Sequence, residues 1–209
     1  MKKMGITQRV ESVSSYAEKR DCLDQRWSDF SLELGFIPVP LPNILPGVAA
    51  QLVESLALDA ILLSGGNSLS LLGPNISDVA PERDAFEEAL IGIAIHKKIP
   101  ILGICRGMQM LNCYFDGSLA LLDGHVANDH VIIPCFPGLD LPILVNSYHS
   151  WGIPLDRLGN HLIPLALDEN SNVEAFRHEM YPIMAMMWHP ERVVGFDLTE
   201  LEFIRNHLL

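Results

Sequence analysis

A lone cysteine lies between two glycines at the junction of an apolar segment and a helical pattern. Cys105 follows residues 99–104, and apolar residues recur behind it at helical spacing, so it is predicted to sit on a strand-to-helix turn. Gly103 and Gly107 permit strained backbone there and leave room for a substrate. The helix N-terminus behind the sulfur favours thiolate over thiol. A nucleophile is the favoured interpretation, and a buried structural cysteine is the alternative.

A second chemical cluster follows the apolar segment 183–187. His189 is a candidate general base that could take the thiol proton of Cys105 and return it to a leaving group. Glu191 could hold the imidazole in the right tautomer. The tripeptide alone would fit a surface turn equally well, but together with Cys105 it predicts a Cys-His-Glu triad.

A third cluster is the loop after residues 60–63. Gly65, Gly66 and Asn67 come directly after this apolar segment, where backbone N–H groups are exposed. An oxyanion hole made of the N–H groups of Gly66 and Arg106 would stabilise an acyl-transfer transition state by roughly 3 kcal/mol per donor. A bare Gly-Gly turn is the alternative, and its position at a strand end favours the oxyanion role.

Short apolar segments alternate with amphipathic ones, which predicts an α/β fold: a doubly wound, mostly parallel sheet flanked by helices, in one domain over residues 1–209. Strands are predicted over residues 5–8, 36–40, 60–63 and 99–102, and helices over residues 23–34, 47–58, 81–96 and 197–208. The short segments 131–133, 143–145, 162–167, 173–176 and 183–187 are closely spaced, which favours additional antiparallel strands.

Composition limits the function. The formal net charge of −12 argues against general affinity for nucleic acid or anionic membranes. No apolar segment has the length of a signal peptide core or a membrane span, so we expect a cytoplasmic protein. The four cysteines show no CxxC pair, which favours reduced thiols.

Histidines raise the question of a metal. His125, Asp129 and His130 lie close together beside Asp123, but in a polar Gly/Asn segment where such residues are ordinary. We therefore expect solvated loop residues, no metal site and no cofactor.

In this order, the three clusters resemble the class I glutamine amidotransferase family, and residues 101–109 with the Gly65-Gly66 loop and His189-Pro190-Glu191 resemble its γ-glutamyl hydrolase branch. The resemblance covers nearly the whole chain. It implies a flavodoxin-like doubly wound fold and cleavage of a γ-glutamyl amide through a γ-glutamyl thioester, releasing glutamate. Asp116-Gly117-Ser118 departs from the Gly-Gly pair that many amidotransferases carry after the nucleophile helix.

The resemblance assigns roles to individual positions. Cys105 would be the nucleophile, His189 the base and Glu191 its orienting partner. Gln109 matches the glutamine that contacts the glutamyl moiety. The segment that matches the loop binding its amino acid end comprises Asn146, Ser147, Tyr148, His149 and Ser150.

A closer resemblance is to short, free-standing members associated with bacterial capsule synthesis. It is carried by residues 6–9, 63–67 and 145–147, and it implies γ-glutamyl-cytidine-diphosphate-amidate as substrate, giving cytidine diphosphoramidate. Arg9, at the end of the first predicted strand, could face a phosphorylated leaving group, or could equally be a solvated arginine.

Two other function classes stay open. One is the glutaminase subunit of an amidotransferase that passes ammonia to a separate synthetase. The other is a redox-sensing relative that uses the cysteine without catalysis. The expected ligand is a small γ-glutamyl substrate, and the sequence leaves a synthetase partner and a homodimer equally open.

Overall fold

The computed structural model describes residues 1–208. The strands are β1 (Lys2–Thr7), β2 (Arg9–Val13), β3 (Glu18–Cys22), β4 (Phe36–Leu41), β5 (Ala60–Leu63), β6 (Ile101–Ile104), β7 (Ala120–Leu121), β8 (Val126–Val131), β9 (Ile133–Pro134), β10 (Leu144–Tyr148), β11 (Trp151–Gly152), β12 (Leu162–Leu167), β13 (Val173–His178) and β14 (Ile183–Met186). The helices are α1 (Arg26–Glu33), α2 (Ala49–Leu56), α3 (Pro81–Lys97), α4 (Arg106–Tyr114) and α5 (Leu198–Leu208). Among these residues, no helix is long and apolar enough to cross a membrane.

Within residues 1–208, a central sheet carries eight strands in the order β4-β1-β5-β6-β14-β13-β12-β9. The half from β4 to β14 is parallel, and the half from β14 to β9 is antiparallel. β14 is the boundary, because it pairs parallel to β6 and antiparallel to β13. The predicted α/β class is confirmed, and the expectation of antiparallel pairing fails only for β14 against β6.

Alternate side chains of the central strands enter two separate cores. Ile61 and Leu63 pack with α2, α3 and α4 on one face of the sheet. Ala60 and Leu62 pack with α1 and α5 on the other face. Both faces of β5 are buried in this way, which explains why its sequence is apolar at every position.

Two sequence expectations are corrected. The hairpin of β2 and β3 was not predicted, because its residues are largely exposed and show no apolar alternation. The segment around His125 and His130 is not a solvated loop: residues 126–131 form β8, which pairs with β10, and His125 is buried.

The first turn of α4 packs directly against β5. A Cβ at Gly107 would lie 2.1 Å from the carbonyl oxygen of Leu63, and one at Gly103 would lie 2.6 Å from Leu111 Cδ1. Both glycines are therefore required by close approach of the helix to the sheet, which fixes Cys105 between them.

We predict that Gly107→Ala lowers the free energy of unfolding by about 2–4 kcal/mol, because the methyl group must displace backbone rather than a flexible side chain. Urea denaturation measures this change. Gly47→Ala is the matched control, since a Cβ there meets nothing within 4 Å, and it should change stability by less than about 0.5 kcal/mol. Equal values for the two variants would contradict the close-packing explanation.

Candidate active site

Cys105 occupies a strained turn between β6 and α4. Its backbone has φ 52° and ψ −105°, a conformation that costs a non-glycine residue about 1–3 kcal/mol. Two hydrogen bonds hold it: its N–H donates to the Met186 carbonyl at 2.8 Å, and its carbonyl accepts from the Gln109 N–H at 3.1 Å. The side chain is thus presented at the end of the strand where the sheet meets the first turn of α4.

His189 lies just beyond β14, the strand next to β6, and faces Cys105. Its Nδ1 is 2.7 Å from Oε1 of Glu191, and both residues are about 2% exposed. Burial alone would lower the pKa of His189, but a Cys105 thiolate and the hydrogen bonds to Cys105 and Glu191 outweigh burial and raise this pKa to about 9. The arrangement therefore favours an imidazolium beside the sulfur.

Asn146 holds the backbone of His189. Its Nδ2 donates to the His189 carbonyl at 2.9 Å, and its Oδ1 accepts from the His189 N–H at 2.9 Å. The amide side chain is thereby used within the protein, so Asn146 positions His189 rather than projecting into open space.

The loop that follows β5 packs against Cys105 and His189. A Cβ at Gly65 would lie 2.8 Å from Cε1 of His189 and 3.6 Å from Cβ of Cys105. No side chain fits there without moving the imidazole. Glycine at position 65 is therefore required by the close approach of Cys105 and His189.

Arg83, which the sequence analysis did not single out, sets the orientation of this loop. Its buried guanidinium donates to the carbonyl oxygens of Ser64, Gly65 and Gly66 at 2.7, 3.1 and 2.6 Å. In a planar trans peptide the N–H points opposite to the carbonyl, so the Gly66 N–H is directed away from Arg83. This orientation suits an oxyanion donor.

A buried ion-pair cluster anchors Arg83. Glu87 accepts from Nε of Arg83 at 2.8 Å and also pairs with Arg106, which in turn pairs with Asp84. Burial opposes ionisation of Glu87, but Arg106 and Arg83 outweigh it and lower the pKa of Glu87. The Arg106 side chain is thus committed to this cluster, and its residue begins α4 directly after Cys105.

Two cavities meet at Gly66. The larger, about 270 Å³, is bounded by the loop after β5, the start of α4 and the segment after β10. Predicted residues that line it are Gly66, Asn67, Cys105, Arg106, Gln109, Tyr148, His149 and Ser150. Nε2 of Gln109 donates to the Trp151 carbonyl at 2.8 Å. Ser147 is not part of this lining; it is fully buried, and its hydroxyl donates to the His125 carbonyl.

The smaller cavity, about 90 Å³, lies on the other side of the Gly65-Gly66 loop. It is lined by His189, Glu191 and two arginines, Arg9 and Arg192. The side chain of Arg9 packs against Gly66 and is partly exposed. Its Nε lies 3.3 Å from Oε1 of Glu11. Arg192 was not predicted; its guanidinium lies 4.4 Å from the centre of the Tyr148 ring, and only its position after Glu191 could have drawn attention to it.

The Peptidase C26 family model matches residues 4–131 and 125–191. The γ-glutamyl-CDP-amidate hydrolase of Campylobacter jejuni is 35% identical over 95% of this chain and 94% of its own length. The γ-glutamyl-γ-aminobutyrate hydrolase of Escherichia coli O157:H7 is 38% identical over 46% of this chain and 40% of its own length. A solved structure from Thermoplasma acidophilum, described as a GMP synthase subunit, has a TM-score of 0.69 at 21% identity, covering 100% of this chain and 92% of its own, which is a likeness of fold. With the family model covering nearly the whole sequence, the chain belongs to the Peptidase C26 family of class I glutamine amidotransferase-like enzymes.

Proposed function

We propose that the protein is a cysteine-dependent hydrolase that cleaves a γ-glutamyl amide bond through a γ-glutamyl thioester. The observation that carries this proposal is the arrangement of Cys105, His189 and Glu191 around the Gly65-Gly66 loop, with the imidazole hydrogen-bonded to the carboxylate and lying beside the Cys105 side chain. The likeness to γ-glutamyl hydrolases supports the substrate class.

The chemistry runs in two halves. The Cys105 thiolate attacks the γ-carbonyl carbon, and the C–N bond breaks as the His189 imidazolium gives its proton to the leaving nitrogen. Water then loses a proton to His189 and attacks the thioester carbon. The C–S bond breaks, glutamate leaves, and the thiolate–imidazolium pair is restored.

Each half develops negative charge on the carbonyl oxygen. The N–H groups of Gly66 and Arg106 are the proposed donors, because Arg83 turns the Gly65 carbonyl away and the first turn of α4 begins at Arg106. Such a donor is worth about 3 kcal/mol. Gln109 and the 148–150 segment would bind the glutamyl moiety in the larger cavity.

Substitution and labelling of Cys105 test whether it is the nucleophile. Cys105→Ala should lower glutamate release by about 10³-fold or more, because no other group can form the thioester. Glutamate release is measured with L-glutamine, a γ-glutamyl amine and γ-glutamyl-CDP-amidate. Cys113→Ala is the matched control and should keep activity. A γ-glutamyl-directed electrophile that labels Cys22, Cys113 or Cys135 in place of Cys105 would exclude the assignment.

The pH dependence tests the role of His189. Its pKa of about 9 lies above the ordinary value, so the proton needed by the leaving nitrogen is present below about pH 9 and is lost as pH rises through that value. We expect kcat/KM to fall on an alkaline limb near pH 9. Glu191→Gln removes one cause of the raised pKa and should move this limb to lower pH. Glu88→Gln, at an exposed position of α3, should leave it in place; an unmoved limb in Glu191→Gln would contradict the assignment.

We further propose a phosphorylated leaving group, with γ-glutamyl-CDP-amidate as the substrate. Arg9 and Arg192 line the small cavity beside His189, together with Asp24 and Glu191. Arg9 pairs with Glu11, and Arg192 Nε lies 3.5 Å from Oε1 of Glu191. The two guanidinium groups are the cationic donors that this wall offers to a phosphorylated leaving group. The 35% identity to the Campylobacter jejuni hydrolase along almost the whole chain supports the same substrate.

Single arginine variants test the leaving group. Arg9→Ala should raise KM for γ-glutamyl-CDP-amidate by about 10–100-fold, the value of a charge-assisted hydrogen bond, and change KM for a γ-glutamyl amine much less. Arg192→Ala should act in the same direction. Arg20→Ala, an exposed arginine on β3, is the control and should affect neither substrate. Equal effects of Arg9→Ala on both substrates would remove Arg9 from the leaving-group site.

The alternative is a glutaminase subunit for a separate synthetase. Slow release from L-glutamine alone, with no activity on substituted substrates, would favour it over the hydrolase.

A further inference from the structure

A buried cluster of histidines and carboxylates lies behind the catalytic cleft. One potential ligand atom each from His125, His149 and Glu174 lies within 4.8 Å of the other two. The His125 ring also lies 4.9 Å from the His130 ring, centre to centre. His125 directly precedes β8, His130 lies near the end of β8, His149 directly follows β10, and Glu174 is near the start of β13.

His149 has one committed and one free nitrogen. Its Nδ1 lies 3.1 Å from the Trp151 carbonyl, which can only accept, so Nδ1 carries the proton and Nε2 carries a lone pair. That Nε2 is buried without a hydrogen-bond partner among residues 1–208.

His125 shows the same pattern with the nitrogens exchanged. Its Nε2 lies 3.3 Å from Oδ2 of Asp168, and its Nδ1 is buried with no partner in the described part of the chain. The Asp168 carboxylate is itself fixed by the N–H groups of Asn170 and Asn172. A histidine held by a carboxylate or carbonyl on one nitrogen, with the other free, is the usual arrangement of a metal ligand.

Glu174 supplies a buried oxygen. It is 1% exposed, and its Oε2 lacks a hydrogen-bond partner within residues 1–208 although His130 Nε2 lies 3.3 Å away. Two carboxylates, Asp168 and Glu174, therefore lie together with the imidazoles of the cluster in a largely buried place.

An ion has a path to this cluster. A cavity of about 430 Å³, lined by His125, His130, Asp168 and the residues around them, borders it. His149 belongs to the cluster and also lines the 270 Å³ cavity that contains Cys105.

We propose that His125, His149 and Glu174 bind a divalent transition-metal ion of the zinc class, with Asp168 as the outer partner of His125. Two imidazole nitrogens and a carboxylate oxygen form a ligand set that zinc accepts at about 2.0–2.2 Å, in three- or four-ligand sites. The alternative, which the experiment decides, is a pair of plain His–carboxylate contacts with no affinity for metal.

Such a metal site would have a structural role. The ion would join β8 and β10 to β13 of the central sheet. β10 carries Asn146, which holds the His189 backbone, and Tyr148, whose ring meets the His189 ring edge-on at 5.8 Å. The metal would therefore stabilise the part of the fold that aligns the base, outside the proposed chemistry.

Cobalt(II) binding tests the proposal without relying on activity. The measurement is made in a Cys105→Ala background, after treatment with a chelator, so that the catalytic thiol cannot supply a ligand. We expect about one equivalent of Co(II), visible absorption bands of a four- or five-coordinate ion with no sulfur charge-transfer band, competition by Zn(II) and a higher Tm. Metal analysis of the untreated wild type should give about one equivalent of metal in the same site.

Ligand variants locate the ion. His125→Gln and Glu174→Gln should each weaken Co(II) binding by about 100-fold or more, because even outer partners contribute about 10–100-fold. Asp168→Asn should weaken Co(II) binding by about tenfold. His96→Gln changes an exposed position of α3 and should leave Co(II) binding unchanged. If the Cys105→Ala protein shows no Co(II) bands and no shift in Tm, the site does not exist; bands that survive both ligand variants in folded protein would place the ion elsewhere. The Cys105→Ala spectrum decides the matter even if a ligand variant fails to fold.

Discussion

The contact between the first turn of α4 and β5 is the constraint from which the active site follows. Gly107 lies so near the Leu63 carbonyl that no side chain fits between them, and a Cβ at Gly103 would meet the Leu111 side chain at 2.6 Å and the Gly107 backbone at 3.0 Å. Because the glycines two residues before and two residues after Cys105 are held by these contacts, Cys105 keeps a positive φ. Its side chain therefore lies at the end of β6. Folding energy from the two sheet cores thereby maintains a local backbone strain that the turn could not hold alone.

A second layer of support is electrostatic and lies beneath the loop after β5. Arg83 donates to three carbonyl groups of that loop, and the carboxylates of Glu87 and Asp84 compensate the buried charges of Arg83 and Arg106. Buried ion pairs of this type contribute little net stability, but they tolerate only one geometry. Loop orientation at Gly66 is therefore tied to α3, an element that contributes no group to the proposed chemistry.

The sequence allowed the local features to be predicted. Cys105 with its flanking glycines, and the short step from His189 to Glu191, are visible because each lies within a few residues, and the α/β class follows from apolar periodicity. Contacts across the sheet were not visible. Arg83 looked like any charged helix residue, Arg192 like a turn residue, and His125 with His130 like solvated loop, since Glu174 and His149 lie far away in sequence. The hairpin of β2 and β3 was missed because exposed strands carry no period-two apolar signal.

The side chain of Asn146 links β10 to the proposed base in a way that has a thermodynamic consequence. The His189 amide hydrogen is bonded to Oδ1 of this residue and not to a neighbouring strand. Exchange of that hydrogen with solvent requires only this side-chain contact to open, while the amides of β6 and β14 are held by the ladders of the central sheet. The amide of the proposed base therefore reports on the contact with β10, separately from the strands that carry the proposed nucleophile.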